Sequence, residues 1–234
     1  MIYILSIDIF IYLAESFLDD YDKTKLIATT KEYYALRFKF TFNNIVKYKM
    51  IHSVSYYDSF TNLIVSNTNL SLPKKIKSLT FSFYFDQPIK DWIPNTVNSV
   101  TFWSNYSKLT KGCIPNSVKY LTFDHYFNQS IKGCIPESII CLTFGFDFNQ
   151  AIEDSIPDSV RCLTFGENFN QPIKGCIPNS VIDLTFGWNF NRSIKGCIPN
   201  SVTYLTFYGR NKKKLYEHDI PKSVKNIKFI KSSI

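Results

Sequence analysis

The chain has 234 residues, of which 45% are hydrophobic and 17% aromatic, and it carries a formal net charge of +8. It is long enough to bury one continuous core, either as one domain or as a small head followed by an array. No apolar run reaches the ~18 residues of a membrane-spanning helix, and the positive charge permits an acidic partner without requiring one.

The apolar stretch at residues 1–13 has the hydrophobicity of a secretory signal peptide, but three of its properties argue against one. No basic residue precedes it, Asp8 interrupts it, and no pair of small residues marks a cleavage site after it. We therefore expect a cytoplasmic protein with no membrane partner.

Residues 1–40 differ in pattern from the rest of the chain and predict a small helical head. Ile9, Leu13 and Phe17 are spaced four apart, which places them on one face of a first helix. The acidic run at residues 19–22 interrupts that helix and offers a cap for a second one. The second helix would carry a largely apolar set: Leu26, Ile27, Thr30, Tyr33, Tyr34 and Leu36.

So short a head can hardly bury an apolar face within itself. Such a face either binds a partner or seals the open end of the domain that follows. Residues 41–70 then predict a connector with an irregular capping repeat, in which residues 63–65 form a strand.

Residues 71–234 form an internal repeat. The triplet Leu-Thr-Phe, replaced once by Val-Thr-Phe, recurs every 21 residues, and a proline precedes it at a constant spacing. The triplets begin at Leu79, Val100, Leu121, Leu142, Leu163, Leu184 and Leu205. After Phe207 a lysine-rich insertion breaks the rhythm, and the unit resumes one residue late at Pro221. A period of about 20–29 residues is that of leucine-rich repeats.

Each unit predicts one short strand. Leu163 and Phe165 are two residues apart and therefore share the inner face, so Thr164 points outward. Gly166 ends the strand and permits a sharp turn, and 21 residues leave no room for a long helix. Stacked units predict a mainly β, right-handed solenoid of parallel strands, like that of leucine-rich repeats.

Equivalent positions of successive units form columns on the outer surface. The threonine column is constant, and β-propensity explains it. The columns two residues before and after it vary, and exposed aromatic residues beside acids are typical of recognition surfaces. The candidate partner-binding residues are Trp103, Tyr120, Asp124, Asp183, Tyr204 and Tyr208, with ordinary solvent-facing variation as the alternative.

Two further columns favour structural roles. Asparagines are expected to satisfy the turn backbone of neighbouring units, at Asn128, Asn149, Asn170 and Asn191. Lysines form a ridge along one edge, at Lys90, Lys111, Lys132, Lys174 and Lys195, broken by Glu153. The ridge favours protection of the edge, with a phosphate track as the alternative. It contains neither arginine nor interleaved aromatic residues, so nucleic acid is not the expected partner.

The six cysteines predict no chemistry of their own. Four share a column that also holds Trp92 and Ser155, so a thiol is not needed at every level. Neighbouring thiols lie within disulfide reach by strand spacing alone, but reduced buried thiols are the favoured account. No metal-binding spacing, phosphate loop or nucleophile elbow occurs, so we expect no catalytic residue, metal or cofactor, and no enzyme activity.

The Phe148-Asn149 and Ile156-Pro157 pairs, with the Ser-Val pair and the Leu-Thr-Phe triplet, resemble FNIP repeats over residues 71–229. These repeats form a leucine-rich-repeat-like family. In that family they often follow an F-box, in proteins of amoebae and of large DNA viruses that infect amoebae.

The head resembles an F-box at Leu5, Asp8, Ile9, Leu13, Leu18, Asp22 and Leu26. F-box proteins link a substrate to a cullin–RING ubiquitin ligase through a Skp-type adaptor. The resemblance therefore implies a substrate receptor whose apolar head residues Leu5, Ile9, Leu13, Leu18 and Leu26 bind the adaptor, in the host cytoplasm if the gene is viral. The alternative is a stand-alone scaffold for protein–protein interaction whose head only caps the solenoid.

Overall fold

The computed structural model describes residues 18–29, 42–51, 57–103, 106–209, 212 and 216–231. Helix α1 is Asp20–Thr29, α2 is Tyr48–Ile51, and a 3₁₀ turn covers Tyr57–Ser59. The strands are β1 Val46–Lys47, β2 Asn62–Val65, β3 Ser78–Phe81, β4 Ser99–Phe102, β5 Tyr120–Phe123, β6 Cys141–Phe144, β7 Cys162–Thr164, β8 Asp183–Phe186, β9 Tyr204–Tyr208 and β10 Asn226–Ile230. None of the helices in these ranges is long and apolar enough to cross a membrane.

The strands form one parallel sheet in sequence order, from β1 to β10. From β3 to β9, each Leu-Thr-Phe triplet pairs with the triplet one period away, so the register follows the repeat. At the C-terminal end, Ile227 of β10 pairs with Leu205 despite the insertion between them. The predicted β solenoid with one strand per unit is confirmed.

The inner and outer faces also follow the prediction. Leu163 is 1% exposed and Phe165 is fully buried, whereas Thr164 between them is half-buried on the outer face. Thr80 is an exception to the outward threonine column, because it is only 4% exposed. It lies in register between Thr101 and Ile64, so one of its two neighbours in the column is an isoleucine instead of a threonine.

Two ladders of aromatic rings fill the core. The strand phenylalanines stack from rung to rung with ring centroids 5.4–5.7 Å apart between Phe123 and Phe207. A second ladder comes from the return segments and stacks on the first, as in the Phe165–Phe169 pair at 3.9 Å. Each ring is too large to be covered within one rung, so stability depends on the neighbours.

Gly166 plays a different part from the one predicted. Its φ is not in the left-handed region. A Cβ atom placed on it would lie 2.0 Å from the carbonyl oxygen of Gly145, and the same holds for Gly187 above Gly166. The glycines are therefore required where the backbones of successive rungs approach closely after the strand, rather than for a sharp turn.

The insertion after β9 completes the second ladder. Tyr216 is 2% exposed and places its ring 4.7 Å from Phe207 and 6.1 Å from Phe190. Its hydroxyl donates to the carbonyl oxygen of Phe190 at 3.1 Å, and the buried Lys212 ammonium donates to the same oxygen. The irregular segment thus supplies the ring that the interrupted repeat lacks.

At the other end, α1 begins with the predicted acidic cap. The Asp19 carboxylate accepts the backbone N–H of Asp22 at 2.8 Å, which satisfies one of the free donors of the first turn. The segment predicted to be a connector contributes β1 and β2 to the sheet, and β2 contains the strand expected at residues 63–65.

Candidate functional site

The outer face of the sheet, which we call the open face, consists of the threonine column and the two variable columns beside it. Among the predicted partner-binding residues, Tyr120 and Tyr204 are each 50% exposed and Trp103 is 37% exposed. Asp183 is also exposed, whereas Asp124 and Tyr208 are half-buried.

The structure brings these six residues together in two groups rather than one. Trp103, Tyr120 and Asp124 lie on or beside β4 and β5, and Asp183, Tyr204 and Tyr208 lie on β8 and β9. In register, Tyr120 is four strands from Tyr204, which is about 19 Å at the usual strand spacing.

The floor between the two groups carries small side chains. Cys141 and Cys162 face each other in register, followed by the threonines and then by Gly145 and Gly166. Burial raises the pKa of the Cys141 thiol to about 11, and its hydrogen bond with Cys162 acts in the same direction. Because the thiolate is the reactive form, Cys141 is a poor nucleophile near neutral pH.

Charged side chains lie at both ends of the open face. Burial raises the pKa of Asp183, and the ammonium of Lys228 on β10 opposes that shift. At the other group, Asp124 contacts the exposed His125 ring, with Oδ1 and Nδ1 2.5 Å apart. The two ends of the open face therefore each combine an acid with aromatic residues.

A second concave surface, the amide groove, runs beside the sheet where the strands end. Part of it has a volume of about 600 Å³, and its lining residues are Tyr126, Asn128, Asp147, Asn149, Asn168, Asn170 and Asn189. A contiguous part of about 560 Å³ shares Tyr126 and Asp147 and adds Phe83, Tyr84, Phe85, Asp86 and Ser107.

Asparagine ladders build both walls of the amide groove. The Oδ1 atom of Asn128 accepts the backbone N–H of Asn149 at 2.9 Å, and Asn149 accepts that of Asn170 at the same distance. On the opposite wall, Asn189 donates through Nδ2 to Asn168 at 2.8 Å. The first ladder confirms the structural role predicted for the asparagine column.

Three exposed aromatic residues stand at one end of the groove. Phe83 is 48% exposed, Tyr84 90% and Tyr126 52%, and the Phe83 ring meets the Tyr126 ring edge to face at 5.3 Å. Nearby, the Ser107 hydroxyl, together with Lys108, holds the pKa of Asp86 below its usual value. The sequence alone did not predict this site, although Tyr84, Tyr126 and Asp147 share one repeat position.

The cysteine column and the lysine ridge differ in exposure, since none of the cysteines is fully exposed. Burial raises the pKa of Cys113, Cys134, Cys176 and Cys197. All six cysteines are free thiols here, and their reduced state in solution stays a prediction. The five ridge lysines are exposed, and Lys132 forms an ion pair with Asp154 at 3.9 Å. No group of three metal-ligating side chains occurs within the described residues.

Most of the adaptor-binding residues predicted in the head lie outside the described ranges. Leu5, Ile9 and Leu13 belong to that part, and Leu26 lies on α1 without a described side chain. Leu18 is half-buried and packs against the solenoid core.

Comparison with known proteins agrees with this geometry. The FNIP Repeat family matches residues 67–105, 105–147, 127–168, 148–189, 169–207 and 190–232. An FNIP repeat-containing protein of Acanthamoeba polyphaga mimivirus is 33% identical over 81 residues, which is 34% of this chain and 21% of that protein. The crystal structure of CroV588, a circular leucine-rich-repeat protein, matches with a TM-score of 0.60 and 36% identity.

That match covers 74% of this chain and 27% of CroV588, so the chain spans less than a third of either relative. The family match, in contrast, extends from residue 67 to residue 232 and includes every strand from β3 to β10. The chain therefore belongs to the FNIP repeat family.

Proposed function

We propose that this chain is a protein-binding module and that the open face is its recognition surface. The observation that carries the proposal is the distribution of variation. Inward positions keep leucine or valine and phenylalanine in every unit from β3 to β9, whereas the columns flanking the threonines change from unit to unit. Packing explains the constant columns, and it does not account for aromatic residues placed on the outer face.

The side chains at the two ends of the open face suit protein recognition. Trp103, Tyr120 and Tyr204 are exposed aromatic residues, a type that dominates binding energy at protein interfaces. They stand on or directly after strands held in register by the core, so little conformational entropy is lost when a partner binds. A partner that spans both groups would contact about 20 Å of sheet.

A comparison of captured proteins tests the open face. The triple variant Trp103→Ser, Tyr120→Ser and Tyr204→Ser would be immobilised beside the wild type and exposed to a lysate of Acanthamoeba polyphaga, the host named for the mimivirus relative. The matched control is Lys90→Ser, Lys111→Ser and Lys132→Ser, which alters the ridge. We expect proteins bound by the wild type to be lost with the first variant and kept with the second. Equal retention by both variants would rule out the open face.

We further propose that the bound protein is a substrate of a cullin–RING ubiquitin ligase, and that the head docks a Skp-type adaptor. The support is the likeness of residues 1–40 to an F-box, preceding an FNIP array. In this arrangement the chain performs no chemistry and acts by holding the substrate near the ligase.

The second candidate is a stand-alone scaffold whose head caps the solenoid. Specific contacts of the described head residues favour it. Leu18 packs on the core, the Asp20 carboxylate accepts the backbone N–H of Asn44 at 2.5 Å, and the Lys23 side chain is 2% exposed. The Asp20–Asn44 hydrogen bond joins the start of α1 to the segment before β1.

Substitution of the first apolar stretch separates the two candidates. Ile9→Asp with Leu13→Asp is expected to abolish binding of a purified Skp-type adaptor, measured by calorimetry, and to leave the unfolding temperature within a few degrees of the wild type. A whole-chain loss of thermal stability, with no adaptor binding by the wild type, would instead identify the head as a cap.

A further inference from the structure

The amide groove is a second surface with its own chemistry, distinct from the open face. Its walls follow the solenoid axis from Tyr84, beyond β3, to Asn189, beyond β8. Five rung intervals at the usual strand spacing make it about 24 Å long. It is therefore long and narrow, with chemical groups repeated along its length.

The repeated groups are hydrogen-bond donors. The Oδ1 atoms of Asn128, Asn149 and Asn170 accept bonds from the next rung. In the part of the chain that the structure describes, their Nδ2 groups donate no hydrogen bond, and none of these amides is buried without a partner. One wall thus presents a row of free N–H donors to solvent, about 4.8 Å apart.

The spacing selects among the conformations of a bound polypeptide. A polyproline II helix repeats every three residues, which is about 9.3 Å, and makes no internal hydrogen bonds, so its carbonyl groups are free to accept. Two rungs span about 9.6 Å, which nearly equals that repeat. A β-strand repeats at about 6.6 Å and does not match, and an α-helix uses its own carbonyl groups internally.

The aromatic end and the charge of the groove agree with this conformation. Exposed aromatic side chains are the usual contacts of proline rings in grooves that bind polyproline II segments, and Phe83, Tyr84 and Tyr126 provide them. The Asp147 carboxylate accepts a hydrogen bond from Asn168 at 3.2 Å, and no cation pairs with it among the described residues. A basic residue of the ligand would supply that cation.

We propose that the amide groove binds a proline-rich polypeptide segment in the polyproline II conformation that carries basic residues. The asparagine Nδ2 groups donate to its carbonyl oxygens, Tyr84 and Tyr126 pack on its proline rings, and Asp147 pairs with a basic side chain. This site contains no residue of the open face or of the head, so the proposal does not depend on the function proposed for either of them.

A labelled peptide of four Pro-Pro-Lys triplets is the probe, and fluorescence anisotropy with the full chain is the measurement. We expect binding that is at least about tenfold tighter than that of a Gly-Ser-Lys peptide of equal length and charge. Since the protein itself is positively charged, general electrostatic attraction does not produce this difference. Equal binding of both peptides, or no binding, would overturn the proposal.

Two variants test the contacts, and unfolding temperatures establish that each is folded. Asn149→Asp keeps an Oδ acceptor for the backbone of Asn170 but removes the free donor, and Tyr126→Ala removes an aromatic wall. Each should reduce the preference for the Pro-Pro-Lys peptide over the Gly-Ser-Lys peptide about tenfold, a ratio in which the charge added by Asn149→Asp cancels, whereas Trp103→Ala on the open face should not change it. An unchanged preference with both groove variants would refute the site. Binding of a cello-oligosaccharide in place of the peptide would reassign the groove to glycans and equally refute the proposal.

Discussion

The central rungs, β6 to β8, and the last rung, β9 to β10, reach the same core by different routes. In the centre, the 21-residue period supplies two phenylalanines per rung, and Phe144–Phe148 and Phe165–Phe169 each stack at 3.9 Å. At the end, the repeat is interrupted, and Tyr216 from the insertion supplies the second ring.

This difference shows what a rung requires. The strand ring continues through the interruption, since Phe207 stacks on Phe229 at 5.8 Å. The second ring comes from outside the repeat register, at the cost of burying Lys212 and a tyrosine hydroxyl. The ladder of rings thus continues where the sequence period is lost. The Lys212 ammonium and the Tyr216 hydroxyl both donate hydrogen bonds to the Phe190 carbonyl oxygen.

The largest expected effect is at the centre. Phe165→Ala should lower the free energy of unfolding by about 3–5 kcal/mol, because it leaves a cavity between the rings of Phe144, Phe169 and Phe186. Urea denaturation checks this, with Phe229→Ala as the comparison at the half-buried end of the ladder. If the terminal substitution costs as much as the central one, stacking on both sides is not the source of stability.

The next effect tests the close approach of the backbones. Gly166→Ala should cost about 1–3 kcal/mol, since the new Cβ atom would meet the Gly145 carbonyl oxygen and the rungs would have to separate. Gly175→Asp is the control. Gly175 has φ of 74° and open space around it, and Asp154 adopts φ of 52° at the same repeat position. Equal losses of stability in urea for both variants would contradict the backbone-contact account.

The architecture could be predicted from the sequence because each position of the repeat occupies the same packing environment in every rung. Each 21-residue period predicted one strand, and the alternation of residues along it predicted that Leu163 and Phe165 point inward. The column of asparagines predicted the hydrogen bonds between rungs. The sequence-based prediction was wrong where the role of a residue depends on its distance from the neighbouring rung. The contact of Gly166 with Gly145 is invisible within one unit, and local turn chemistry offered a sufficient explanation of that glycine.

The candidate site was harder to predict than the fold. The open face follows from alternation along a strand, so its residues were accessible to sequence reasoning, but their division into two groups required the register. The amide groove lies between two columns separated by a buried phenylalanine. Only the structure shows that the Asn149 side-chain oxygen accepts hydrogen bonds from the next rung and that, among the described residues, its nitrogen donates none.

The smallest expected effect concerns the tyrosine that completes the last rung. Tyr216→Phe keeps the ring and removes only the hydrogen bond to the Phe190 carbonyl oxygen, which Lys212 still contacts. At pH 8 this substitution should lower the free energy of unfolding, measured by urea denaturation, by about 0.5–1.5 kcal/mol. Tyr216→Ala, which removes the ring, should cost more, because it opens the end of the second ladder.

The effect of Tyr216→Phe should also depend on pH, with a defined sign. Burial raises the pKa of Tyr216 from 10.0 to about 12. A group whose pKa is higher in the folded than in the unfolded state stabilises the fold below the unfolded value, and this contribution is lost as the pH rises toward the folded value. At pH 11 this effect lowers the free energy of unfolding of the wild type by roughly 1 kcal/mol, whereas the Tyr216→Phe variant has no hydroxyl proton to lose. The greater stability of the wild type at pH 8 should therefore shrink or reverse at pH 11. If the difference in free energy of unfolding between the two proteins stays the same at both pH values, folding does not raise the pKa of Tyr216.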